Sequence, residues 1–208
     1  MNIFLLSTVV AINVQYYIDP HVVKIILEIA QMLCSALSLN EYKGDQVPLS
    51  HFIELPVLER PVKTYKKTHF RHPWVIALRR STELFVYIAK LGVALCEEYS
   101  HRYGGKRHLS ETLLRALLKV PLRIVDIKIE FVETTTLALW PLNKRRRLYA
   151  TVPLCMPDYC KVKKKKQASC YCALSSYRKY YRREKSQLKR GVNWKKRGMP
   201  AWFDNVKK

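Results

Sequence analysis

Acidic side chains are scarce in this chain. Only 16 Asp and Glu stand against 38 Lys and Arg, a formal net charge of +22 over 208 residues. An excess of that size repels itself in the folded state and calls for a polyanion as partner. Glycine is scarce as well, with six residues. Gly104-Gly105 is the only adjacent pair, and no Lys-Ser/Thr follows it, which excludes a P-loop nucleotide site. HExxH and GxSxG are missing, which excludes their zinc-protease and serine-hydrolase chemistry. No run of 18 apolar residues occurs, so no spanning helix and no membrane partner are expected. The first ten residues have no basic n-region, and Ser7, Thr8, Asn13 and Gln15 interrupt the apolar start, so the chain is expected to be intracellular and not secreted.

Cysteine is sparse too, at six residues. Cys34 and Cys96 lie in apolar helical runs and are expected in a core. Cys155, Cys160, Cys170 and Cys172 follow the spacing C-x4-C-x9-C-x-C. Free thiols are the first expectation for these four. A four-thiolate zinc and one or two disulfides are the alternatives, although structural zinc sites more often use C-x2-C pairs. No cofactor is expected.

What the chain does have is an uneven charge. Residues 1–143 hold 17 basic and 13 acidic side chains (+4), whereas residues 144–208 hold 21 and 3 (+18). The basic third includes Lys144, Arg145, Arg146 and Arg147, then Lys163, Lys164, Lys165 and Lys166, and a helix carrying Tyr177, Arg178, Lys179, Tyr180, Tyr181, Arg182, Arg183 and Lys185. Cations interleaved with aromatic rings suit a polynucleotide, with cations on phosphates and rings on bases or sugars. Of these, the two basic runs with Tyr177, Arg178, Lys179, Arg182 and Arg183 are the candidate nucleic-acid contacts.

The pattern predicts a mainly α fold: a helical single domain with a small antiparallel β element in its second half. A buried strand at Ile3–Leu6 precedes a helix through Tyr17. Asp19 and Pro20 open an apolar helix reaching Cys34, with Asp19 as its cap. Residues 40–71 form a connector with Pro48, Pro56 and Pro61. His72-Pro73 opens a helical stretch that Ser81-Thr82-Glu83 divides and Gly104-Gly105 ends. A short helix runs from Ser110 to Lys119. Alternation at Val125, Ile127, Ile129 and Phe131 predicts a strand, with two more at Leu137–Trp140 and Leu148–Val152. A last helix spans Ser175–Lys189. The parts are a helical body (1–123), a β-hairpin element (124–152), and a basic loop, helix and tail (153–208) packing on the body.

Two polar clusters break the apolar helices. At ~100° per residue, His21, Lys24, Glu28 and Gln31 fall inside an arc of ~80°. Glu98, His101 and Arg102 share the last turn of a later helix. The stripe is either a solvated face with a Lys24–Glu28 pair or the wall of a site. The candidate catalytic set is His21, Lys24, Glu28, Glu98, His101 and Arg102. It suits acid–base work, a Schiff base through a desolvated lysine, or a buried network fixing two helices.

The run Gln15-Tyr16-Tyr17-Ile18-Asp19-Pro20-His21-Val22-Val23-Lys24-Ile25-Ile26-Leu27-Glu28 resembles the first signature of a poorly characterised family of small proteins from bacteriophages and large DNA viruses. Thr68–Trp74, Ala94–Gly104, Met156-Pro157-Asp158, Tyr177–Tyr181 and Trp194–Phe203 resemble its later signatures. More remotely, the layout is similar to the helical pyrimidine-dimer DNA glycosylases: an acid-opened helix, a His-Pro helix, a Glu…Arg helix end and a terminal Pro-x-Trp-aromatic. That resemblance implies base excision with an abasic lyase step, an N-terminal amine as nucleophile and a glutamate supporting it. Met1's α-amine and Lys24 are the candidate amines. The implied function is a viral nucleic-acid-binding protein related to DNA-repair glycosylases, with DNA as partner. A structural virion protein, its basic third on genome or on acidic capsid neighbours, is the alternative. The implied locations are host cytoplasm or nucleus, or the virion.

Overall fold

The computed structural model describes residues 2–38, 52–53, 62–119, 135–137, 150–164, 167–188 and 191–203. The fold is mainly helical, with short antiparallel pairs of strands. Most of the proline connector, the strand expected at Val125–Phe131, the Lys144–Arg147 tip and Lys165-Lys166 lie outside the described residues. Contacts divide the chain into two compact units, Met1–Ile3 with Val22–Ile129 and Phe4–His21 with Glu130–Lys208. Phe4–His21 thus groups with residues 130–208.

The first unit is built on α2 (Asp19–Ser38), four residues longer than its pattern predicts. Pro20 fits the first turn, where its missing N–H costs nothing. Val22, Ile25, Ile26, Ile29, Ala30, Met32, Leu33 and Ala36 are all buried. By length and composition the window Asp19–Leu37 matches a membrane span, but 72% of it is buried in the structure, as in a core helix. A strand pair, β1 (Phe52–Ile53) and β2 (Val62–Lys63), precedes α3 (Pro73–Leu78). The ring of His72 accepts the Trp74 N–H and caps α3. Ser81 then starts α4 (Thr82–Arg102) by accepting the Leu84 N–H at 3.1 Å, so the expected break is a helix cap. Gly104 and Gly105 have φ of 68° and 80°, and Gly105 N–H reaches the Ser100 carbonyl at 2.8 Å. This is the left-handed termination that glycine permits. Helix α5 (Glu111–Leu117) packs close to α4. A Cβ on Gly92 would meet Leu114 Cδ2 at 2.9 Å and Ile29 Cγ2 at 3.0 Å, so a side chain there would have to push the Leu114 and Ile29 side chains aside.

In the second unit the expected first strand is absent. Phe4, Leu5 and Leu6 are buried, yet side chains rather than a neighbouring strand satisfy their backbone. Asn13 Oδ1 accepts the N–H groups of Leu6 (2.7 Å) and Ser7 (3.1 Å). Tyr17 takes the Phe4 N–H and donates its hydroxyl to the Phe4 carbonyl at 2.6 Å. Apolar content read as a strand is here a buried extended segment stitched by polar side chains. The helix before Tyr17 is only α1 (Val10–Gln15). Asp19 accepts the Lys195 N–H with both carboxylate oxygens, at 3.0 and 3.1 Å, and so ties the C-terminal stretch to the start of α2. Strands β3 (Thr135–Leu137) and β4 (Ala150–Val152) pair antiparallel, as do β5 (Lys163–Lys164) and β6 (Gln167–Tyr171). Helix α6 (Ala173–Tyr180) widens into a π turn at Tyr181–Lys185, ending short of the Lys189 its pattern predicts.

Candidate functional site

Glu28 gathers the first site. It is 6% exposed, and the two oxygens of its carboxylate take different partners. Oε1 meets Lys24 Nζ at 3.1 Å, one helical turn earlier, and Oε2 accepts the backbone N–H of Asn2 at 2.9 Å. A buried carboxylate needs such partners, because desolvation alone disfavours its charge. Lys24 reaches it from solvent, with two thirds of its side chain exposed. The polar stripe is therefore split by depth: Lys24 is wet and Glu28 is buried, while Val23 and Leu27 on the same helix are 39% and 37% exposed. The backbone of Asn2 thus meets a buried acid. Sequence reasoning missed this contact, since 26 positions separate its ends and no periodicity connects them.

His21 has other company. Its ring stacks on Phe4 with centroids 4.8 Å apart, and Nδ1 lies 2.8 Å from the Tyr181 hydroxyl, which also accepts the Ile18 N–H at 2.9 Å. Glu98 and Arg102 form a buried i, i+4 pair with Arg102 Nε on Glu98 Oε1 at 2.7 Å, whereas His101 is exposed. The structure thus shows Glu28 with Lys24 and Asn2, His21 with the aromatic rings of the second unit, and Glu98 with Arg102.

The candidate nucleic-acid residues divide by burial. Tyr177 and Tyr181 are fully buried, and Tyr177 donates its hydroxyl to the Pro153 carbonyl, so these rings are core and offer no face to a base. Arg178 is half-buried: Nε donates to the Leu6 carbonyl at 2.8 Å and the guanidinium sits 5.1 Å over the Trp202 ring. Burial is the largest influence on its pKa and lowers it. Tyr177 is thus taken up by the core, and Arg178 is engaged by the Leu6 carbonyl and the Trp202 ring. Lys163 and Arg183 are exposed, and Lys179 and Arg182 half-exposed. Arg183 lies 4.8 Å over the half-exposed Tyr159 ring, whose hydroxyl donates to Glu184 at 2.7 Å. Lys144, Arg145, Arg146, Arg147, Lys165 and Lys166 are outside the described residues, as is the side chain of Lys164.

Cys34 and Cys96 are buried, as expected, and burial pushes their thiols up to about 11 and about 12. Cys160 and Cys172 are free thiols; burial raises Cys155 to about 11 and also raises Cys160. Such thiols stay protonated at neutral pH, unlike the thiolates that bind metal or attack electrophiles. Among the described residues no group of three His, Cys, Asp or Glu side chains converges as for a metal ion; the Cys170 side chain lies outside them. Compared with known proteins, the chain matches no protein family, no curated protein and no solved structure.

Proposed function

We propose that this chain is a viral nucleic-acid-binding protein of the DNA-repair glycosylase type, whose amino-terminal end and Glu28 act together on the sugar of a DNA nucleotide. The observation that carries this reading is the Asn2 N–H on Glu28 Oε2 at 2.9 Å, within a chain of net charge +22. The Met1 α-amine is one residue away from that contact. An α-amine generally titrates at ~7.7–8.0 and a lysine ammonium at ~10.4, so the α-amine is the better nucleophile near neutral pH.

The chemistry runs as follows. The amine lone pair forms a bond to C1′ as the bond to the base breaks, and the base leaves with that electron pair and takes up a proton. The sugar ring opens at C1′–O4′, O4′ gains a proton, and C1′ becomes an imine. Loss of the C2′ proton then expels the 3′ phosphate. Glu28 accepts the proton the amine sheds and returns one to O4′. Positioned acid–base groups of this kind contribute ~10²–10⁴-fold. Lys24 balances the carboxylate and is the second candidate amine.

The basic third supplies the grip on the phosphate backbone. Lys163, Lys179, Arg182 and Arg183 are the candidate contacts among its described cations that keep exposed surface. Borohydride trapping on an abasic-site duplex tests the reading, because reduction turns the imine into a stable secondary amine. Peptide mapping is expected to find the adduct on Met1. Tight duplex binding without any adduct would instead favour the virion role, in which the same cations hold packaged genome.

A further inference from the structure

Leu109 is 97% exposed, in contrast to every other exposed large apolar residue described, none of which exceeds 51%. Its mount is rigid. The turn leaves α4 through the two left-handed glycines, and the next residue, Ser110, is buried and meets the Tyr65 hydroxyl at 2.9 Å. His108 Nδ1 accepts the Ser110 N–H at 3.2 Å, and the ring also hydrogen-bonds to the backbone of Val23 on α2. With Nδ1 accepting, Nε2 carries the proton and is the donor to the Val23 carbonyl. Tyr99 packs edge-on against the same ring, with centroids 5.4 Å apart. A leucine so held forgoes the stabilisation that burial of its side chain would provide. Its neighbours Lys106 and Arg107 are exposed cations, and the exposed Val23, Lys24 and Leu27 lie on the helix to which the turn is tied.

We propose that Leu109 is an apolar wedge that enters the base stack of a duplex beside the Glu28 site, with Lys106 and Arg107 on the flanking phosphates. This rests on the reading of that site as one that acts on a nucleotide drawn out of duplex DNA. Such a nucleotide is reachable only once the stack has been opened, and apolar side chains inserted between base steps open it. Val23, where the turn is anchored, lies five residues from Glu28, a rise of about 7.5 Å along the helix. Val23 is followed directly by Lys24, whose ammonium meets Glu28 at 3.1 Å, so the turn is tied to the same exposed stretch of α2 that reaches the Glu28 site. The charge around the turn selects a polyanion over an apolar protein surface as its occupant.

The test uses the full chain, its Leu109→Ala and Leu109→Gln variants, and a duplex with 2-aminopurine beside an abasic site. Native protein at saturation is expected to raise 2-aminopurine fluorescence by unstacking it. Both variants are expected to lose about tenfold of the unstacked population, the equivalent of ~1.4 kcal/mol, while duplex affinity by anisotropy changes less than about threefold. Equal fluorescence in all three proteins, no rise with native protein, or no duplex binding would overturn the wedge. Borohydride trapping on a single-stranded abasic oligonucleotide, which has no stack to open, separates the two claims. Native protein and variants are expected to trap it alike. No trapping there by any of the three rejects the chemistry assigned to Glu28 and leaves the wedge judged by fluorescence; trapping by native protein but not by the variants would overturn the wedge.

Discussion

Two side chains carry the functional reading at the scale of single residues. Glu28→Gln keeps the shape of the site and the acceptor for the Asn2 N–H, but removes the charge that holds Lys24 at 3.1 Å. The rate of borohydride-trapped adduct is expected to fall by ~10² or more, with an unchanged circular-dichroism spectrum. A rate within twofold of native would remove Glu28 from the chemistry. His108 gives a pH prediction. Burial is the largest influence on its pKa and lowers it, against the opposing effects of the Val23 backbone bond and Glu111. A histidine depressed in the folded state contributes stability that is present above its unfolded value of ~6.5 and is lost as pH falls through the folded value. Protonation also places a hydrogen on Nδ1, which then no longer accepts the Ser110 N–H. Amide exchange at Ser110, corrected for intrinsic rate, is therefore expected to accelerate as pH falls below the ordinary histidine value of ~6.5. An exchange rate independent of pH between 5 and 7.5 would contradict the pinning of this turn.

At the scale of elements, the legible parts were those with local signals. Pro73, Ser81 and Gly104-Gly105 marked the ends of α3 and α4 because caps and left-handed glycines act within a few residues. The apolar content of α2 marked a buried helix for the same reason. Ile3–Leu6 was misread because apolar content does not say who satisfies the backbone, and here Asn13 and Tyr17 replace a partner strand. The depth of Lys24 against that of Glu28 was equally illegible, since the pattern gives a face but not what covers it. The sequence pattern makes Glu98 a catalytic candidate, and in α4 it pairs with Arg102 with both side chains buried. Glu98→Leu leaves that guanidinium without this carboxylate and is expected to cost ~3–5 kcal/mol in denaturant unfolding. Glu98→Leu combined with Arg102→Met is expected to regain most of it. A single variant as stable as native would contradict a pair that matters to α4.

At the scale of the whole molecule, charge and order in the chain work together. The +18 of residues 144–208 was readable from the sequence alone, but which cations stay available was not. Helical spacing alone does not separate Arg183, which is exposed, from Arg178, which is spent on the Leu6 carbonyl and the Trp202 ring. If six to ten phosphates are contacted, duplex affinity is expected to fall ~10³–10⁵-fold between 50 and 200 mM salt. Replacing Lys163, Lys179, Arg182 and Arg183 by Gln is expected to flatten the log–log salt slope by about 3–4. An unchanged slope would place the polyanion elsewhere on the protein. The central claim is that the start of this chain and Glu28 form one reactive site. It is tested most directly by borohydride trapping on a duplex carrying a thymine dimer, where adventitious amines find no ready aldehyde. The expected result is a covalent adduct mapping to the Met1 α-amine, with strand cleavage at the dimer and loss of both in Glu28→Gln. Tight binding with neither adduct nor cleavage would contradict the account.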